Sequence, residues 1–129
     1  MTNEPIDLRA VLKTFDDLWS PRIAARINDY DVRVTHVQGS YIWHVHDTTD
    51  EFFLVLDGQL SIAVRDPEER VVSLPAGSVF VVPRGIYHRP FSDNGADIVV
   101  IDPAGTPTTG DSHDPLPAHI QTHTGISID

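Results

Sequence analysis

The chain has no cysteine, which removes disulfides, thiolate metal sites and cysteine nucleophiles together. Basic residues are scarce: nine Lys plus Arg face nineteen Asp plus Glu in 129 residues, a formal net charge of −10. That balance repels phosphate backbones and anionic lipid surfaces, so neither nucleic acid nor membrane is expected as a partner. No apolar run approaches the roughly 18 residues that a spanning helix needs. The opening residues Met1 to Asp7 lack the basic-then-apolar layout of a secretory leader. These absences lead to the expectation of a cytoplasmic protein. The length implies one domain over residues 1–129, with 40% hydrophobic residues to build its core.

Histidine, by contrast, is plentiful: seven against the nine Lys and Arg. From Ile6 to Trp19, apolar residues at Leu8, Val11, Leu12, Phe15, Leu18 and Trp19 form a stripe at helical spacing. Asp7 is the expected N-cap and Ser20-Pro21 the stop, giving an N-terminal helical segment within residues 1–20 that covers part of a sheet. Short β-branched and aromatic runs then follow at roughly eight-residue spacing. They fall at 22–28, 32–37, 41–46, 51–56, 59–65, 70–74, 79–82, 86–91 and 97–101. This pattern predicts an all-β sandwich or barrel. Asp57-Gly58 reads as a hairpin turn. Phe52 to Leu56 is apolar on both faces, so that strand is expected to be buried on both sides, inside the sandwich or against a second subunit. Residues 102–129, with several prolines, glycines and threonines and no periodicity, read as an irregular tail.

Chemistry concentrates in two stretches. In Trp43-His44-Val45-His46, strand alternation puts both imidazoles on one face, their Cβ atoms about 7 Å apart, close enough to share a metal ion. After a polar turn, Glu51 opens the next strand in phase with Phe53 and Val55, so its carboxylate projects into an apolar interior. A lone buried carboxylate there costs several kcal/mol or takes up a proton, and coordination removes that penalty. In Val82-Pro83-Arg84-Gly85-Ile86-Tyr87-His88, a tight turn precedes a histidine that could add a third imidazole from the opposite side of the barrel. Three neutral histidines and one glutamate leave one or two coordination positions open to water or substrate on a divalent ion.

These stretches resemble the two motifs of the cupin superfamily, in particular its small single-domain members. The first, G-x5-H-x-H-x3,4-E-x6-G, is matched by His44-x-His46-x4-Glu51-x6-Gly58. The second, G-x5-P-x-G-x2-H-x3-N, is matched by Gly77-x5-Pro83-x-Gly85-x2-His88. Two positions depart: Gly39 precedes His44 by four residues rather than five, and Ser92 stands at the asparagine position. The motif region spans residues 39–92. The resemblance implies a double-stranded β-helix, a jelly-roll barrel usually built as a homodimer. It also implies that His44, His46, Glu51 and His88 bind one divalent metal ion: zinc, iron, manganese, nickel or copper.

Around these ligands, Phe53, Val55 and Ile42 are expected to line an apolar pocket. Tyr41, Trp43 and Tyr87 are out of phase with it and are expected to pack between sheets or at a dimer contact. Arg84 and Arg89 flank His88 and could hold a substrate carboxylate or enolate. Asp47 and Asp50 read as solvated turn residues and His36 as a partly exposed histidine. A second metal site in the tail, from His113, His119 and His123, is not expected. No general base is identified, so catalytic residues stay unassigned. The function expected is a metal-dependent enzyme acting on a small oxygenated molecule, of dioxygenase or isomerase/lyase type. The alternative is a barrel that binds a small ligand, as a sensor does, without turnover.

Overall fold

The computed structural model describes residues 4–129. Its elements are α1 (Leu8–Leu12), β1 (Arg22–Ile27), β2 (Tyr30–Ser40), β3 (His44–Val45), β4 (Glu51–Arg65), β5 (Glu69–Pro75), β6 (Val79–Val82), β7 (Tyr87–Pro103), β8 (Ser112–His113) and β9 (Ile126–Ser127). The sheet runs β5-β4-β7-β2-β1-β9, with β3 pairing β7 and β8, and β6 pairing β4. This is the expected jelly-roll barrel.

The Asp57-Gly58 hairpin does not form. Those residues lie within β4, whose register against β7 shifts between Val55 and Asp57 and again between Gly58 and Ser61. The chain bends there as a bulged strand instead of reversing. Gly58 has φ +81, and a Cβ on it would stand 2.3 Å from the Gly95 carbonyl oxygen, so only glycine fits this crossing. The segments expected at 86–91 and 97–101 likewise fuse into β7. The strand expected at 41–46 shortens to β3, with the Tyr41 backbone N–H donating to Pro90 O at 2.9 Å.

The N-terminal helix is also shorter than its apolar stripe. Asp7 caps it as expected, accepting from the Arg9 and Ala10 backbone N–H groups. The helix ends as the Thr14 hydroxyl bonds back to Val11 O at 2.6 Å. Trp19 adopts φ +56 and donates its backbone N–H to His36 O. Leu12 and Phe15 still reach a core with Ala24, Val34 and Val99, against which Leu54 and Leu56 pack. That N-terminal segment, within the same chain, covers the second apolar face of β4. Trp19 enters the barrel interior with Val37, Phe53, Val55 and Ile98.

Three strands are therefore sandwiched. On β2, Val32 and Val34 face the N-terminal segment, whereas Asp31, Arg33, Thr35 and Val37 are buried on the barrel side. The tail is more ordered than expected: β8 pairs with β3, β9 runs parallel to β1, and Ile120 is buried in the barrel core.

His36 ties the N-terminal segment to the sheet. Its Nδ1 lies 2.6 Å from Asp97 Oδ1 and its Nε2 lies 2.7 Å and 2.9 Å from the carbonyls of Leu12 and Phe15. Every partner is an acceptor, so the geometry calls for an imidazolium. Burial opposes that charge, but Asp97 and the two carbonyls outweigh it and raise the pKa.

Two predictions follow from this architecture. Gly58→Ala is expected to lower unfolding stability by more than about 2 kcal/mol, combining a left-handed backbone with a backbone clash. Gly77→Ala, at φ +87 but with open space where its Cβ would stand, should cost only about 1–2 kcal/mol. Urea unfolding of both variants checks this, and equal losses would count against the close approach. For His36 the folded pKa lies above the unfolded value. Its stabilisation is therefore fully present below about pH 6.5 and is lost as pH rises through the folded value. The gap in urea midpoint between wild type and His36→Gln, at equal metal loading, should be widest near about pH 5.5 and narrow towards about pH 9. A gap independent of pH would contradict the charged pairing.

Candidate metal centre

His44, His46, Glu51 and His88 meet as expected. One potential ligand atom from each lies within 4.8 Å of the others, and all four residues are buried. Three elements deliver them. His44 opens β3, Glu51 opens β4, and His88, directly opposite His44 in the β3–β7 pairing, stands near the start of β7. The third imidazole thus comes from the neighbouring paired strand, not from the far side of the barrel. The intervening turns are tied to each other: the Gly85 backbone N–H donates to His46 O at 2.8 Å. The Arg84 backbone N–H donates to Asp50 Oδ1 at 2.9 Å. Asp50 is thus a strut between the two ligand-bearing loops, although exposed.

Hydrogen bonds set the ring orientations. His44 Nδ1 donates to Ile42 O and His88 Nδ1 donates to Ile86 O, each at 2.9 Å, leaving each Nε2 free for the centre. That is the outer bonding a metal-binding histidine requires. His88 Nε2 then faces Glu51 Oε1 at 3.1 Å, so a neutral ring has acceptors at both nitrogens. His46 Nε2 lies 3.3 Å from Glu51 Oε2 but is buried without a well-formed hydrogen bond. A cation between the ring nitrogens and the carboxylate would satisfy all these atoms at once, so the donor set fits a divalent metal.

Two of the three shifts, those of His44 and Glu51, agree with that fit, whereas His46 holds a proton that a metal would have to displace. Burial and the neighbouring His88 charge push His44 down to about 3, keeping it neutral. Burial pulls Glu51 upward, but its contacts with His46 and His88 outweigh this and hold it well below the usual carboxylate range. Burial also lowers His46, and pairing with Glu51 more than restores it, leaving its pKa raised.

A cavity of ≈ 60 Å³ adjoins the cluster, with His44 and Glu51 in its wall. Phe53 lines it as expected, together with Trp19, Ile98 and Val100. Val55 and Ile42 instead lie in the surrounding barrel core. Tyr41, expected out of phase, lines the cavity, its ring edge-on to His44 at 5.3 Å. Short β3 leaves Tyr41 outside regular strand alternation. Burial raises its hydroxyl to about 12, opposed by nearby Thr108.

The arginines expected at the site point elsewhere. Arg89 lies over the Trp43 and Phe91 rings, and Arg84 pairs with Asp50 at the surface. Trp43 is instead covered by Arg65 at 3.8 Å. Tyr87 is exposed. In the tail, His113 bonds Asp114 O and His119 bonds Ser40 O, so these two histidines hold backbone carbonyls.

Besides Glu51, two charged residues reach the cavity that were not among those singled out from the sequence: Arg33 and Asp102. Arg33 Nη1 donates to Thr106 O at 2.9 Å and lies 3.8 Å from Asp102 Oδ2, while Nη2 lies 3.4 Å from Asp31 Oδ2. Burial, followed by the Glu51 charge and a hydrogen bond with Glu51, raises Asp102 well above the usual carboxylate range. Alternation with Ile98 and Val100 was the available signal for Asp102.

Comparison with known proteins agrees with this geometry. A cupin-2 domain containing protein from Shewanella frigidimarina NCIMB 400 is 38% identical, with TM-score 0.72, covering 76% of this chain and 93% of its own. Protein NMB1881 from Neisseria meningitidis is 27% identical, with TM-score 0.70, covering 78% and 99%. Bacillus subtilis (strain 168) YdbB is 40% identical over 65 residues, 50% of this chain and 56% of that protein's length. The cupin domain model matches residues 32–103, more than half of the chain, and with the two motifs and the barrel this places the protein in the cupin family.

Proposed function

We propose that this cupin is a divalent-metal-dependent enzyme acting on a small oxygenated molecule, of dioxygenase or isomerase/lyase type. The observation carrying the reading is the convergence of three imidazoles and one carboxylate within 4.8 Å beside a cavity. His44, His46, Glu51 and His88 would hold the ion. When bound, it would polarise a substrate oxygen at an open coordination position. The chain's own residues do the rest. Ile42 and Ile86 carbonyls fix two rings, Glu51 supplies the negative charge, and Phe53, Ile98 and Val100 keep the cavity wall dry. We further propose a homodimer in the cytoplasm, with the chain acting as one cupin domain. Apolar Val71 on β5 and Val79 and Val81 on β6 are exposed and available to a second copy.

Elemental analysis of protein purified without added metal tests the centre. Near-stoichiometric metal is expected in wild type and almost none in the His46→Ala/His88→Ala double variant; equal traces in both would refute the ligand set. Chelation should lower the unfolding free energy of wild type by about 2.7 kcal/mol if the free metal stood at about 100 times its Kd, with no effect on the double variant. Oxygen uptake with small diketones and enediols then separates dioxygenase from isomerase/lyase chemistry. Stoichiometric metal with saturable binding and no turnover would favour the ligand-binding alternative.

A further inference from the structure

We propose that the cavity selects a small hydroxylated molecule through Tyr41 Oη and Asp102 Oδ1, a specificity that rests on the metal-dependent function above. Both atoms are buried without a well-formed hydrogen bond, although Thr108 stands near the Tyr41 hydroxyl and Glu51 near the Asp102 carboxyl, and both residues line the cavity shared with Glu51 and His44. Tyr41 is 7% exposed and Asp102 2%. A buried polar atom left unpaired costs about 1–3 kcal/mol, and native interiors leave few of them. Three such atoms belong to residues lining this one cavity, Tyr41 Oη, Asp102 Oδ1 and Arg33 Nε, and mark a place where a ligand completes the bonding.

The surroundings explain why the chain itself does not pair them. The Tyr41 ring is wedged between Trp19 at 4.9 Å and His44 at 5.3 Å, and its backbone N–H is bound to Pro90 O. The ring is thereby held in one place. The second oxygen of Asp102 faces Arg33 at 3.8 Å, which aligns the carboxyl group and leaves Oδ1 free.

The two atoms differ in what they need. A tyrosine hydroxyl donates or accepts, whereas a carboxylate oxygen accepts. A ligand hydroxyl suits either atom, since it can accept from Tyr41 and donate to Asp102. A ligand carboxylate would instead set another negative charge against Glu51. The apolar wall of Trp19, Phe53, Ile98 and Val100 calls for a hydrocarbon body. The volume of ≈ 60 Å³, against about 10–15 Å³ for one water on the same measure, limits that body to a single ring or a short branched chain. Nucleotides, glycans and peptides are too large. The ligand class is thus a small alcohol or phenol, with any further oxygen free to face the histidines and Glu51.

Phenol and fluorobenzene, matched in size but not in hydroxyl, test this on the zinc-loaded protein by ligand-observed NMR titration. In wild type, phenol should bind at least about tenfold more tightly. Tyr41→Phe keeps the ring contacts and should reduce that preference to less than about threefold while leaving zinc content and fluorobenzene affinity unchanged. Asp102→Asn should reduce it by a smaller factor. Equal binding of the two probes to wild type, no saturable binding of either, or an unchanged preference in Tyr41→Phe would each overturn the proposal. Failure of the metal reading would show separately as wild type that takes up no zinc. The same preference, measured on that metal-free protein, would still decide the role of the cavity.

Discussion

The antiparallel ladder of β4 with β7 must turn a corner for the site to exist. Glu51 opens β4, and His88 pairs with Val64 near the other end of the same ladder. Thirteen residues of straight strand would hold those positions about 40 Å apart. Their side chains nevertheless meet at 3.1 Å. The bend lies at Asp57-Gly58 against Gly95-Ala96, where a glycine backbone passes within a distance no side chain allows. One steric constraint thus rolls the sheet into a barrel and brings its two ends to the candidate metal centre.

Once rolled, the barrel leaves Glu51 buried between ring nitrogens. Two imidazoles already donate outward to backbone carbonyls, so the inward nitrogens and the carboxylate together form a cluster short of positive charge. A buried anion in this position needs a cation or protons. The same electrostatics reaches Asp102, whose carboxyl is raised by burial and by Glu51. Arg33 and Asp31 share that interior, so the cavity is apolar along its walls and polar at a few defined atoms, as small-molecule sites generally are.

Much of this was legible from residue order. Alternation placed His44 and His46 on one face, and two gapped motifs with Glu51 and His88 marked the barrel and the four side chains that cluster in it. The Asp7 cap was legible because capping is local. Two readings failed for reasons of packing. The Asp57-Gly58 pair is chemically identical in a hairpin and in a bulge, and only the partner strand distinguishes them. The Phe15 to Trp19 stripe satisfies two cores without being helical. Arg33 was not singled out at all, because its neighbours Val32 and Val34 face a core of their own, the one beneath the N-terminal segment.

The sequence by itself determined the donor set, the strand-rich architecture and the absence of thiol chemistry, because these depend on residue type and short-range periodicity. The tertiary structure alone decided which residues join the ligands around the cavity. Tyr41 arrives there because the short β3 leaves it outside strand alternation, and Arg33 and Asp102 because β2 and β7 are buried on both faces, and a strand covered on both sides no longer tells its inside from its outside by hydrophobicity.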